Sequence, residues 1–169
     1  RLGGLYYIPA YGYNGPSIET GETVGGFRAQ TAIRRGWKRS MIEFERQSGR
    51  IRVSLRAAAI GADLCLIISG GDRPHLGAVA LAQPRPSLAE PDSLSPSVSL
   101  LTLVGHKEGG IACQAAERIA SRTGRNVVVC CGIHVDGIQG GEITAVLEMV
   151  NTLVSDLLSA TDSELTDPV

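Results

Sequence analysis

Three histidines stand where an apolar run meets a glycine-bearing loop: His75 in SGGDRPHLG, His106 in VGHKEGG and His134 in GIHVDG. Imidazole changes charge near neutral pH and is the commonest nitrogen ligand for zinc, iron or nickel. If those run ends gather at one edge, His75, His106 and His134 join Asp72 and Asp136 in one polar cluster. A metal could be held by His75, His106 and His134, with the aspartates completing the shell. No two of these histidines have the i, i+3 or i, i+4 spacing of a ligand pair on one helix, so the tertiary fold alone would assemble them. Alternatively, His75 or His134 oriented by an aspartate could perform acid–base chemistry. A nucleophile is not apparent, because no Ser or Cys sits at an elbow such as GxSxG.

A third chemistry is anion binding. Gly105-His106-Lys107-Glu108-Gly109-Gly110 opens a predicted helix, where free backbone N–H groups and the positive dipole end favour a phosphate. Lys107 is unfavourable beside that dipole, and two glycines weaken a first turn; both choices make sense with a phosphate there. The GxxxxGK[ST] order of a Walker loop is absent. Gly70-Gly71-Asp72-Arg73-Pro74 supplies a second loop of close approach, with Arg73 suited to bidentate contact.

The elements that must position these groups follow from periodicity. Ile42 and Phe44, then Ile51, Val53 and Leu55, alternate with polar residues around Ser48-Gly49, which predicts a hairpin pairing Phe44 with Val53, Ile42 with Leu55 and Glu45 with Arg52. Leu64 to Ser69 has no polar alternation until its end and predicts a central strand. Strands are expected at 76–82 and 98–104, joined by a stiff connection whose four prolines across 84–96 exclude a strand. A helix follows over 108–123 with Gly124 at its C′ position, then a buried strand over 126–134, then a helix carrying Ile143, Val146, Leu147, Val150, Leu153, Val154 and Leu157. The expected fold is α+β: a mixed, mostly antiparallel sheet with helices packed on one face. Residues 1–37 read as an irregular arm holding all four tyrosines, 38–160 as one domain and 161–169 as an acidic flexible tail.

With 169 residues the chain can bury about 70% of its unfolded surface, enough for a core without staples. Its 21 glycines require linkers or loops of close backbone approach. Net charge is −1, yet residues 28–56 hold nine basic and two acidic residues, and 136–169 hold seven acidic and no basic ones. Solvated faces account for this; so does a basic surface for an anionic ligand or acidic partner, such as a neighbouring subunit, which makes a homo-oligomer plausible. Nucleic acid is disfavoured, since the basic stretch lacks interleaved stacking aromatics, and no apolar run reaches a membrane span. Cys65, Cys113, Cys130 and Cys131 read as reduced core residues of a cytoplasmic protein, with no CxxC for zinc. The first residue is Arg1, so a preceding segment is expected; nothing present has the order of a secretory signal.

The segments GADLCLIISGGDRPHLGAVALAQPRPS, SVSLLTLVGHKEGGIACQAAERIA and NVVVCCGIHVDGI, in this order across about residues 40–155, resemble the LpdD-like prenylated-flavin chaperone domain, the small D subunit of gallate (hydroxyarylic acid) decarboxylase systems. The resemblance implies a non-enzymatic accessory protein that binds prenylated FMN, or FMN, and delivers it to a UbiD-type decarboxylase, with a flavin prenyltransferase as a further partner. On this reading the cofactor-binding candidates are Gly70, Gly71, Asp72, Arg73, Pro74, His75, Arg85, Gly105, His106, Lys107, Glu108, His134 and Asp136. The phosphate would use the Lys107 helix start and Arg85, and the ring would lie near His75 and His134.

Overall fold

The computed structural model describes residues 30–32, 41–90 and 93–165. In chain order they form β1 (Gln30–Ala32), β2 (Ile42–Ser48), β3 (Ile51–Ile60), β4 (Asp63–Gly71), β5 (Ala78–Pro86), β6 (Leu94–Thr102), α1 (Gly109–Thr123), β7 (Val127–His134) and α2 (Gly140–Leu165). The seven strands make one sheet in the order β1-β2-β3-β4-β7-β5-β6, with β4 in the middle as its unbroken apolar run predicts. Only the β4–β7 pairing is parallel; the other five are antiparallel. This is the expected α+β architecture.

One face of the sheet carries the core. Val53, Leu55 and Ala57 of β3, Leu64, Leu66 and Ile68 of β4, Val127, Val129 and Cys131 of β7, and Ala78, Ala80 and Ala82 of β5 are all buried. Their period of two puts them on a common side. Helix α1 packs against β5, β6 and β7, helix α2 against β2 and β3, and the two helices touch each other. Small residues on β5 let α1 approach: Ala112, Ala115, Ala116, Ile119 and Ala120 are its buried residues besides Gly109. Truncating a core side chain such as Leu66 to alanine costs about 2–5 kcal/mol through lost transfer energy and the cavity left behind. Gly124 ends α1 in the left-handed region at φ 65°, its N–H bonded to the Ala120 carbonyl, as its C′ placement predicts. Helix α2 has the length and composition of a membrane span, but its apolar stripe, Val146, Met149, Val150, Leu153, Val154 and Leu157, is buried against the domain.

Four expectations need correction. The first hairpin pairs Phe44 with Leu55 and Ile42 with Ala57, two residues away from the predicted register, because Gly49 and Arg50 form the loop instead of Ser48 and Gly49. Gly49, at φ +56°, takes the first loop position that glycine suits. A shift of two leaves every side chain on its face, so the apolar pairing survives and Arg56 meets Glu43 at 2.8 Å. The prolines do not exclude a strand: β5 runs to Pro86 and β6 starts at Leu94, with Pro84 opposite Pro96. Past Ala82 strand β5 no longer pairs with β7, and β6 is the outer strand, so missing proline N–H groups break no ladder on those sides. Strand β1 lies within the stretch read as irregular arm, and α2 extends to Leu165, inside the stretch read as tail; the remainder of both stretches falls outside the described residues. Finally, only Cys131 is buried, while Cys65, Cys113 and Cys130 are half-buried, all four being free thiols.

Among the described residues the basic stretch finds its acidic partners inside the chain. Arg46, 8% exposed, donates to the Asp156 carboxylate on α2. Burial pushes the Asp156 carboxyl up, against the opposing pull of Arg46. Arg50 pairs with Glu142 at 2.8 Å, Arg52 with Glu45 at 3.5 Å and Arg56 with Glu43. All four arginines of the described basic stretch therefore have an acidic partner in their own chain, and a basic surface awaiting an outside anion is not what these residues form.

Candidate functional site

The parallel strands β4 and β7 end side by side, with Gly71 opposite His134. The loop after β4, the turn before α1 and the loop after β7 therefore converge at one sheet edge, the place where open sheets present ligand sites. Two glycines make the convergence possible. At Gly71, with φ +74°, an added Cβ would lie 2.0 Å from the His134 carbonyl oxygen; at Gly132 it would lie 1.8 Å from the His75 carbonyl oxygen. The loop 72–77 thus lies directly on β7, held by the Asp72 N–H on the His134 carbonyl (2.7 Å) and the Gly77 N–H on the Cys131 carbonyl (2.9 Å).

The three histidines do gather. The His75 ring centroid is 4.5 Å from that of His106 and 6.1 Å from that of His134. They fall into two groups. In the outer one, exposed Arg73 pairs with Asp136, and His134 Nε2 lies 2.8 Å from Arg73 Nη2 and 3.0 Å from Asp136 Oδ1. Hydrogen bonding from His134 and then Arg73 holds the Asp136 carboxyl below the usual aspartate range. The Asp136 N–H donates to Asp72 Oδ2 at 2.8 Å, closing the two loops on each other.

In the inner group, His75 Nε2 lies 2.8 Å from His106 Nδ1 and 3.2 Å from Glu108 Oε1. His106 Nδ1 is 3.7 Å from Glu108 Oε2. Glu108 is 9% exposed, and among the described residues its buried Oε2 has no hydrogen-bond partner. It occupies the N-cap of α1 but makes no side-chain cap bond; the carboxylate turns from the helix towards the histidines. Gly77 leaves the room, since a Cβ there would stand 2.8 Å from Glu108 Oε2. Gly109 lets the helix start close on β6, where a Cβ would meet Thr102 Cγ2 at 3.0 Å.

Most residues expected from the sequence meet at this edge. Gly70 lies beneath it in β4, where a Cβ would be 2.4 Å from the Arg52 carbonyl oxygen. Pro74 and Lys107 are exposed beside it, and Gly105, at φ +85°, turns the chain before α1. Arg85 does not belong to the edge. It lies seven residues after Ala78 on β5, about 24 Å along the strand at ~3.4 Å per residue, and there it bonds Ser97 and the Pro86 carbonyl. The three-histidine metal set is also corrected: among the described residues the donors within coordination reach of one another are His75, His106 and Glu108, while His134 faces Arg73 and Asp136. Sequence reasoning missed Arg50, which reaches from the first hairpin to the Asp136 carbonyl (2.9 Å) and braces the outer loops. Nothing local in its sequence marks that role.

Comparison with known proteins agrees with the motifs at this edge. The Protein LpdD of Lactiplantibacillus plantarum (strain ATCC BAA-793 / NCIMB 8826 / WCFS1) is 25% identical over 121 residues, spanning 70% of this chain and 84% of that protein. Among solved structures, a chain from a crystal structure of a novel chaperone complex for yeast 20S proteasome assembly matches with a TM-score of 0.46 and 17% identity, over 75% of this chain and 97% of that one. The family model described as "Prenylated flavin chaperone LpdD-like domain" matches residues 47–162, a span that takes in every histidine of the edge, α1 and all but the end of α2, so the chain belongs to that family.

Proposed function

We propose that this protein binds prenylated FMN and delivers it to a UbiD-type hydroxyarylic acid decarboxylase. The observation that carries the reading is the family match over the segment whose loops converge on the histidine edge. The edge suits transfer: a carrier must hold its cargo and let it go, which exposed loops permit and a closed core does not. Exposed Arg73 and Lys107 are cations for a flavin phosphate, and the N–H groups at the start of α1 add the positive end of the helix. Among the described residues Phe44 is a buried core side chain, so what these residues offer an isoalloxazine ring is imidazoles, aliphatic groups and peptide planes. The cofactor itself carries the electron-sink chemistry of decarboxylation; the residues here bind and orient it. A cytoplasmic, homo-oligomeric accessory protein meeting a flavin prenyltransferase on one side and the decarboxylase on the other fits the same reading.

Anaerobic native mass spectrometry with reduced prenylated FMN, and separately with FMN, tests it. One ligand per chain is expected, and absence of an adduct with both removes the proposal. Lys107→Ala should weaken binding by about 1–3 kcal/mol, the range for a charge-assisted contact; equal affinity would move the phosphate elsewhere.

A further inference from the structure

We infer that His75, His106 and Glu108 form a binding site for a first-row divalent cation, with zinc the best fit. The inference stands apart from flavin binding and would hold for a chain that never met the cofactor.

Three observations carry it. The first is proton bookkeeping. His75 Nδ1 lies 3.1 Å from the Arg73 carbonyl, an acceptor only, so Nδ1 carries the hydrogen and donates it. In the neutral ring Nε2 is then a bare lone pair. That lone pair faces His106 Nδ1 at 2.8 Å and a Glu108 oxygen at 3.2 Å. If His106 donates to it, the carboxylate is left opposite an acceptor with no proton between them. A second proton on His75 would serve Oε1 and still leave Oε2 buried and unpartnered. One cation between the three groups satisfies all of them at once.

The second observation is support around the donors. A ligating histidine usually gives its other N–H to a backbone carbonyl, which fixes the tautomer and the ring, and His75 is held in this way by Arg73. The third is size. A tetrahedral ion with bonds of about 2.0–2.1 Å holds its donors about 3.3–3.4 Å apart. The closest approaches here bracket that value: 2.8 Å between the two imidazole nitrogens, 3.2 Å from His75 Nε2 to Glu108 Oε1 and 3.7 Å from His106 Nδ1 to Glu108 Oε2, the carboxylate meeting each ring through a different oxygen. Two imidazoles and a carboxylate suit zinc or a neighbouring first-row ion better than calcium or magnesium, which prefer oxygen donors. Three protein ligands leave a fourth position for water or an anionic oxygen ligand.

The test uses full-length, tag-free protein stripped with a chelator, in the absence of flavin. Titration with Co2+ should produce the visible absorption of a tetrahedral site, saturating at one ion per chain, and Zn2+ should displace it. Glu108→Gln and His75→Ala should weaken zinc binding by more than the ~10–100-fold that loss of a mere supporting group costs, while His134→Ala keeps the wild-type affinity. If the stripped wild-type chain takes up neither ion at micromolar concentration, the site does not exist. Loss of metal in His134→Ala with retention in Glu108→Gln overturns the assignment in favour of a three-histidine set. Because wild-type uptake is measured directly, a variant that fails to fold leaves the proposal testable, and because flavin is absent the outcome is separate from that of flavin binding.

Discussion

The two polar groups at the sheet edge share Arg73 yet solve different problems. Its guanidinium holds Asp136 and faces His134 in the outer group; its carbonyl fixes His75 in the inner one. Outside, His134 can accept from Arg73 or donate to Asp136, and in either state every group keeps a partner, with water at hand. Inside, Glu108 Oε2 is shut off from solvent, and no arrangement of protons on His75 gives both oxygens of Glu108 a partner. A buried carboxylate oxygen without a partner is costly. The outer group meets its own charges and leaves Arg73 exposed for a ligand, whereas in the inner group one carboxylate oxygen has no partner among the described residues.

The sharpest way to break this contrast is at the floor beneath the inner group. Gly132→Ala places a methyl 1.8 Å from the His75 carbonyl oxygen, and β7 is central, so the loop must lift. A loss of about 3 kcal/mol or more is expected, at the upper end of overpacking effects, read by denaturant unfolding; a change below experimental error would mean that the loop does not rest on β7. Next in size is Glu108→Gln. In metal-free protein it replaces a carboxylate whose Oε2 is unmet with a neutral amide and should raise stability by about 1–3 kcal/mol, while abolishing the rise in Tm that zinc gives the wild-type chain through linkage. The matching change outside, Asp136→Asn, should do neither. A destabilised, zinc-responsive Glu108→Gln chain would erase the distinction between the two groups.

How far the sequence reached depended on the range of the forces involved. Period-two alternation and the unbroken run of Leu64–Ser69 are local, and they placed the strands, the central position of β4 and the helices on one face. Pairing partners are not local: Gly49 selects a loop one residue later than Ser48-Gly49 would, and only the closed hairpin shows it. The prolines at 84, 86 and 96 misled because a ban on interior strands does not apply to a two-stranded edge. At the site, each histidine was marked by its glycine-bearing loop, and their convergence followed once β4 and β7 lay parallel. Glu108 was legible as a helix-start residue, but its turn towards His75 and His106 depends on the space that Gly77 leaves. Arg85 sits in a motif continuous with the site loop, and a straight strand then carries it away.

Smaller effects test the outer brace by acid. Its hydrogen bond to Arg50 first, then the Gln139 N–H, lowers the Glu142 carboxyl from an ordinary 4.5 to about 2. The unfolded chain therefore binds more protons in that window, and stability rises with pH across it. The contribution is complete above about pH 4.5 and is lost as pH falls through about 2. Asp136, also lowered, acts in the same direction. Glu142→Gln should flatten the acid limb of the stability profile between those values and leave the neutral region nearly unchanged; an unaltered acid limb would show that Arg50 does not hold the carboxylate in solution.

The smallest expected change concerns Gly110, in the first turn of α1 beside the inner group. A Cβ there would meet nothing within 4 Å, and the residue is helical, so packing does not require glycine. Gly110→Ala should stabilise the chain by up to about 1 kcal/mol through helix propensity alone. Gly109 is different: a Cβ there would press on Thr102 and Leu100, so the gain in propensity is opposed by the shift those side chains must make. If Gly110→Ala is the more stable chain and yet binds prenylated FMN more weakly, the glycine serves close approach of a ligand to the helix start, and the flavin phosphate lies on the α1 side of the edge. If binding is unchanged, the flavin phosphate does not need the open space at Gly110.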